Sequence, residues 1–322
     1  QDLITPIYYD DFGRQDKKYL SLPQPASGQY RSGDLRGRIA TYYKNKFGGD
    51  FSEGTMNPYS QKIFEASPLN RVIKQAAPGT SWRSDGTLTA NAKDHTIKFD
   101  WTTNGDGIFR FGVDITNGVP KLTKSTYTKN QLYVSITKDE NWKSGNNHTT
   151  QEFTNKQGQV VLKRTFNNGA AHDTYYVYDD YGNLSFVIPP KVTVTVSDGV
   201  DANELKDLCY QYRYDERNRL VEKKIPGKDD WEELVYNQLD QVVLSRDGNL
   251  KKNKQWLFTK YDAFGRVAYT GLYKDDRSRS SIQSSASEHA NQFESKGDSF
   301  YGYTNKAYPT NNISTENIYT IN

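Results

Sequence analysis

Few side chains in this chain of 322 residues could do covalent or acid–base chemistry. The histidines are His95, His148, His172 and His289, and the single cysteine is Cys209. A nucleophile needs a base beside it, and a catalytic metal needs several His, Cys or carboxylate ligands converging. The sequence holds no His-Glu-x-x-His, Cys-x-x-Cys or Gly-x-Ser-x-Gly run. Cys209 lies between Leu208 and Tyr210 on an expected strand, where a buried structural thiol outweighs a nucleophile. His172-Asp173 could be an acid–base pair, but a Gly-rich turn ahead of a strand gives both groups backbone to satisfy. Adjacent carboxylates occur at Asp10-Asp11, Asp179-Asp180, Asp229-Asp230 and Asp275-Asp276. Calcium wants alternating oxygen ligands around a Gly, and these pairs lack that spacing. Asn104-Gly105-Asp106-Gly107 comes nearest to a metal loop, and a hairpin turn before Ile108-Phe109-Arg110-Phe111 accounts for it better. Trp82, Trp101, Trp142, Trp231 and Trp256 could stack on sugar rings, yet they form no repeated platform and suit sheet packing. Catalytic, cofactor-binding and metal-binding residues are therefore not expected.

The acidic residues that recur do so inside one turn. The unit reads Tyr9-Asp10-Asp11-Phe12-Gly13, Tyr178-Asp179-Asp180-Tyr181-Gly182 and Tyr261-Asp262-Ala263-Phe264-Gly265. Looser copies are Tyr214-Asp215-Glu216-Arg217-Asn218 and Tyr236-Asn237-Gln238-Leu239-Asp240, and Thr154-Asn155-Lys156-Gln157-Gly158 lacks the aromatic. A type I turn prefers Asp or Asn first, and Gly, Asn and Asp tolerate the left-handed backbone that follows it in a short hairpin loop. The unit is thus turn chemistry, which removes its carboxylates from the catalytic candidates. The flanks read as strands. Tyr176 with Tyr178, and Tyr212 with Tyr214, share a face by the period of two, and Leu220 to Ile225 and Val242 to Ser245 follow their turns. Uneven spacing of the Tyr anchors argues against a propeller, whose blades repeat steadily. Hairpins of unequal length laid side by side fit better, closed by Pro23, Pro189-Pro190, Pro226-Gly227 or Asp247-Gly248.

The expected fold class is all-β, with these hairpins forming a curved or spiral sheet. Residues 1–150 read as a degenerate β region, with Phe64 to Val72 as an expanded copy closing at Pro78-Gly79. Alternating strands are expected at Ile97, Phe99, Trp101; Phe109, Phe111, Val113, Ile115; Leu132, Val134, Ile136; and Val192, Val194, Val196. Residues 151–273 hold the regular strip. Residues 274–300 read as a Ser-rich insertion, helical or flexible, with Ile282, Ala286, Ala290 and Phe293 at helical spacing; residues 301–322 begin a further unit.

Composition agrees. At 34% hydrophobic the chain is poor in aliphatic core, while 13% aromatic is too rich for disorder. Net charge is +3 and dispersed, with only Lys251, Lys252 and Lys254 clustered, so nucleic-acid binding is not expected. No stretch approaches the roughly 20 apolar residues of a membrane span. One Cys excludes an internal disulfide. Asn147, Asn183 and Asn312 begin glycosylation sequons, a pattern frequent by chance.

Tyr-Asp-x-x-Gly followed by a strand resembles the signature of RHS, or YD-repeat, proteins. Gly169 to Leu184 is similar to the version found in Bacteroidota, as are Asn57-Pro58-Tyr59-Ser60, Ser67 to Val72 and Trp256 to Asp262. The resemblance implies a large exported protein whose repeats build a hollow β-sheet shell, often around its own C-terminal toxin or effector. It also implies secretion-system cargo, commonly type IX, with translocon or carrier partners and a secreted or cell-surface location. The self-cleavage motif of the RHS core, a toxin domain and a C-terminal sorting domain are not found, so the chain reads as an internal wall piece. A cell-surface adhesin or carbohydrate-binding β-repeat protein is the alternative, and a glycan-cleaving enzyme would need facing carboxylates that sequence cannot show.

Overall fold

The structure, a computed structural model, describes residues 2–29, 33–51, 56–85, 95–116, 118–195, 199–297, 302–311 and 313–321. Its strands are β1 (Asp2–Ile4), β2 (Lys17–Tyr19), β3 (Leu22–Gln24), β4 (Tyr59–Phe64), β5 (Val72–Ala76), β6 (Ile97–Thr103), β7 (Ile108–Thr116), β8 (Val119–Tyr127), β9 (Tyr133–Lys138), β10 (Thr149–Thr154) and β11 (Val160–Asn167). They continue as β12 (Ala170–Tyr178), β13 (Leu184–Ile188), β14 (Val194–Thr195), β15 (Gly199–Val200), β16 (Tyr210–Tyr214), β17 (Leu220–Lys224), β18 (Glu232–Tyr236), β19 (Val242–Arg246), β20 (Gln255–Tyr261), β21 (Val267–Lys274) and β22 (Ile313–Ile321). The helices are α1 (Arg36–Lys46), α2 (Ala202–Leu208), α3 (Gly248–Lys252) and α4 (Arg279–Glu288). The fold is all-β, dominated by antiparallel sheet with few helices. Among the described residues no helix is long and apolar enough to cross a membrane.

The chain divides into two compact units, Gln1–Ile108 with Tyr127–Asp173, and Phe109–Thr126 with Thr174–Asn322. In the first, antiparallel neighbours run β2-β4-β5-β6-β9-β10-β11. Beside them Tyr19, Leu22, Leu35 and Ile39 form a small core, the last from α1. That helix departs from the all-strand reading of this region. Leu35, Ile39, Tyr42 and Tyr43 carry helical periodicity, and Lys44 and Lys46 suit the negative C-terminal end.

In the second unit the order is β12-β13-β16-β17-β18-β19-β20-β21-β22, so hairpin follows hairpin with each laid against the last. The β7–β8 ribbon also belongs here, with the Phe111 ring 4.9 Å from Tyr175. The main core joins Val235, Val243, Leu244, Trp256, Phe258, Ala268 and Tyr269 to Ile282 and Ala286 of α4. Within the Ser-rich segment, Arg279–Glu288 form α4. Its small residues let α4 lie close on β18, and Gln283 exchanges hydrogen bonds with both the N–H and the carbonyl of Tyr236. The helical spacing expected through Ala290 and Phe293 stops short: α4 ends at Glu288 and His289 is extended, which releases the chain to bring Glu294 inward. Short helices α2 and α3 start at Asp201 and Asp247, whose carboxylates cap them. Val196 lies outside the described residues.

Candidate functional site

The recurring turns are the feature that the sequence repeats, and the structure gives six of them the same bonding. Asp10, Asn155, Asp179, Asp215, Asn237 and Asp262 each receive a backbone hydrogen bond from the residue three later, closing a type I turn. Each donates its own N–H to the carbonyl four later. Its side-chain Oδ1 accepts from the N–H groups two and four later, at 2.8–3.0 Å throughout. The left-handed position falls on Gly13, Gly158, Gly182, Asn218, Asp240 and Gly265, with φ between 58° and 85°. One short side chain thus satisfies two backbone donors that a three-residue loop would leave bare.

The fifth position completes the unit, and the sequence reading passed over it. Where the first residue is Asp, its second oxygen accepts from Arg14, Asn183, Arg219 or Arg266. Where it is Asn, its Nδ2 donates to Gln159 or Gln241, each at 2.8 Å. The pairing follows from donor and acceptor inventory: Arg can only donate, so it needs a carboxylate. Burial pushes the Asp215 carboxyl up, but the Arg219 side chain and the N–H groups of Arg219 and Arg217 outweigh it and hold it below the usual carboxylate range. For Asp262 the Arg266 side chain dominates in the same direction. The expanded copy follows the same logic with Glu65, whose carboxylate takes Arg71 bidentately while Asn70 is left-handed.

Five of these six hairpins, all but the one at Asp10, carry a bulge just beyond the turn. The register slips by one residue between the last two pairs of each incoming strand, leaving Val161, Ser185, Val221, Val243 or Ala268 as the extra residue. A bulge turns two consecutive side chains toward one face. Ser185 with Phe186, Val243 with Leu244, and Ala268 with Tyr269 are accordingly buried as pairs.

In three copies the Tyr ahead of the turn links its hairpin to the one before it. Tyr214 Oη donates to the carbonyl of Leu184 at 3.0 Å, Tyr236 Oη to Leu220 at 2.7 Å, and Tyr261 Oη to Val242 at 3.0 Å. In each case the acceptor is the first strand residue after the preceding turn. These hydroxyls form a ladder along the turn edge of the second unit. The left-handed residues add a second row: Asn218 accepts from Asn183 of the previous turn, and Asp240 accepts from both Arg217 and Arg219. Asn218 and Asp240 are therefore more than replacements for Gly, because their side chains bridge neighbouring turns.

The residues weighed for catalysis are held apart. Asp173 is locked bidentately to Arg164 at 2.7 and 2.8 Å, with His172 exposed beside it. Cys209 is fully buried, and burial, with Glu204 adding, pushes its thiol up to about 12. Asn104 organises a loop, its Oδ1 accepting from Gln131 and Leu132 N–H and its Nδ2 donating to Thr128 and Gly105 carbonyls. Asp275 pairs with Arg277 and Tyr273, and Asp276 with Lys254. Lys251 pairs with Glu233. Among the described residues no cluster of His, Cys and carboxylates could hold a metal ion. Four of the indoles have a cation on one face: Arg71 on Trp101, Lys138 on Trp142, Arg213 on Trp231 and Arg246 on Trp256. Asn147 accepts from Gly169 N–H, Asn183 is used in its turn, and Asn312 lies outside the described residues.

Against known proteins, a family model described as a domain of unknown function, DUF6443, matches residues 1–96. Salivary gland surface protein 1 of Aedes aegypti is 24% identical over 278 residues, 82% of this chain, and the chain spans only 7% of that protein. The crystal structure of TcdB2-TccC3-Cdc42 superposes with a TM-score of 0.48 at 11% identity, covering 84% of this chain and 10% of that one. TcdB2-TccC3 without its hypervariable C-terminal region gives 0.47 at 11%, covering 83% and 10%.

Proposed function

We propose that this chain is a wall segment of an RHS-type, YD-repeat protein, exported and carried at or beyond the cell surface, whose sheet encloses or displays a C-terminal effector. The observation that carries the reading is the uniform turn unit with its Tyr ladder. Six turns with one bonding scheme are a device for adding hairpins to a sheet indefinitely, and such a device builds surface rather than a catalytic cleft. The turn carboxylates are spent on turn bonds, Asp201 and Asp247 on helix caps, and Asp173 and Asp275 on ion pairs. The curated relative is called a surface protein and is far longer than this chain, which suits a segment of a large surface assembly. Export as type IX cargo and a Bacteroidota source extend the reading from the Gly169 to Leu184 motif.

Protease protection tests it on the full-length gene product. The wall reading requires that the C-terminal segment resist digestion until denaturant opens the sheet. Digestion at the rate of the isolated segment overturns enclosure.

The adhesin alternative is less well supported, since the Trp faces it would use are partly taken by Arg and Lys. Binding on a glycan array, lost in Trp142→Ala or Trp231→Ala, would reinstate it.

A further inference from the structure

A buried cluster in the second unit is not needed by the turn scheme. Lys260 on β20 points into the core with its side chain wholly excluded from solvent, as is that of Glu294. Lys260 Nζ donates to Glu294 Oε1 at 3.0 Å, to the Ala307 carbonyl at 2.8 Å, and to Oδ1 of Asn305. Glu294 is fixed by the N–H groups of Lys306 and Ala307 and by Thr304 Oγ1 at 2.6 Å. Tyr269, also fully buried, donates its hydroxyl to the Thr304 carbonyl at 3.0 Å, with Asn305 Oδ1 at 3.4 Å and Glu294 Oε1 at 3.5 Å from the same oxygen. The Asn305 amide is held from behind, Nδ2 donating to the Thr310 carbonyl.

These are the parts of an acyl transfer. A Lys amine is a nucleophile once it has lost its proton in a dry pocket, a carboxylate beside it can take that proton, and a carboxamide is an acyl donor. The Tyr269 hydroxyl, 3.4 Å from the carboxamide oxygen, can turn from the Thr304 carbonyl to stabilise the oxyanion as charge develops there. Burial lowers the Lys260 pKa to about 8, with Glu294 opposing, so a share of the amine is neutral near neutral pH. The fold supplies proximity, and the dry core keeps water from competing.

We propose that Lys260 and Asn305 join in an intramolecular isopeptide bond, with Glu294 as proton carrier and Tyr269 as oxyanion donor. Glu294 takes a proton from the Lys260 ammonium. The freed Nζ pair attacks Asn305 Cγ, forming the N–C bond as the carbonyl π pair moves onto Oδ1 against the Tyr269 hydroxyl. A proton passes from Nζ to Nδ2, the Cγ–Nδ2 bond breaks, and ammonia leaves. It recovers the proton from Glu294 and departs as ammonium. No oxidant or co-reactant is required. The product ties the segment after α4 to β20 across a separation of 45 residues. That staple would hold the end of the second unit closed against pulling or protease.

The test is a peptide map of the folded full chain, purified without cross-linker, denatured and digested. The expected result is one branched species in which the Lys260 and Asn305 peptides are joined, with total mass lower by one ammonia. Loss of ammonia at any other site leaves those peptides separate, so the branched species is decisive. Lys260→Arg and Asn305→Ala should abolish it, and Glu294→Gln should abolish or greatly slow it. A cooperatively folded wild-type chain yielding only separate, unmodified Lys260 and Asn305 peptides overturns the proposal, whatever the variants do.

Discussion

Removing one oxygen from the ladder gives a sharp test of how the hairpins are linked. Tyr236→Phe keeps the ring, its packing and the Arg219 guanidinium 4.7 Å above it. It deletes only the hydroxyl that donates to the Leu220 carbonyl at 2.7 Å. No cavity forms, so the cost is the lost hydrogen bond plus the stranded carbonyl, together about 1–2 kcal/mol. A change of that size alters an equilibrium by a factor of about 5–30. Native-state hydrogen exchange reads it locally, without assuming that the two units unfold as one. Amides of the 237–241 turn and of β17 should exchange faster by that factor. Tyr181→Phe is the control: Tyr181 is 75% exposed at the tip of its turn, and its change should stay within about 0.5 kcal/mol. If Tyr236→Phe exchanges no faster than Tyr181→Phe, the ladder is an accident of packing and the linkage argument fails.

Other outcomes follow from the same geometry. Asp215→Asn sets an amide N–H against Arg219, a donor against a donor. Adding Arg219→Gln recreates the pair seen at Asn155/Gln159, so a double-mutant cycle should show about 1 kcal/mol of favourable coupling after allowance for exposure. Zero coupling by urea titration would contradict the pairing rule. Gly158 has φ of 82° with nothing within 4 Å of an added Cβ, so Gly158→Ala should cost about 1–2 kcal/mol from backbone alone, and Gly158→Asn markedly less; equal costs would point to a clash instead. Cys209 should resist thiol reagents in the folded chain at neutral pH. Its folded pKa is raised above the unfolded value of 9.0, so its contribution to stability is full below pH 9 and fades as pH climbs toward about 12. Labelling at the rate of a free thiol would show that the site is open.

How much of this was legible in the sequence depended on range. The turn unit is local, and its residue types follow from backbone stereochemistry, so Asp, Asn and Gly could be placed from the chain alone. The fifth-position partner was also legible, since Asp occurs with Arg or Asn and Asn with Gln, but only to a reader asking what the second side-chain atom bonds. The bulges were not: a strict period of two cannot reveal that Val243 and Leu244 are buried together. Helix α1 hid in a region read as degenerate β, because Gly37, an apolar N-cap at Leu35 and a first turn without acidic residues weaken its start. The Lys260, Glu294 and Asn305 cluster depends on contacts across dozens of residues, and each of its members looks like a surface residue in isolation. The ladder sits between these cases. Its Tyr residues stood out, but their acceptors lie on a different hairpin.

The central claim is that this chain is part of a wall around something else. Electron microscopy of the full-length gene product tests it most directly. The account predicts a hollow, sheet-walled particle with separate density inside or at its mouth. A solid globule with no sheet wall, or an open rod with nothing enclosed or displayed, would contradict it.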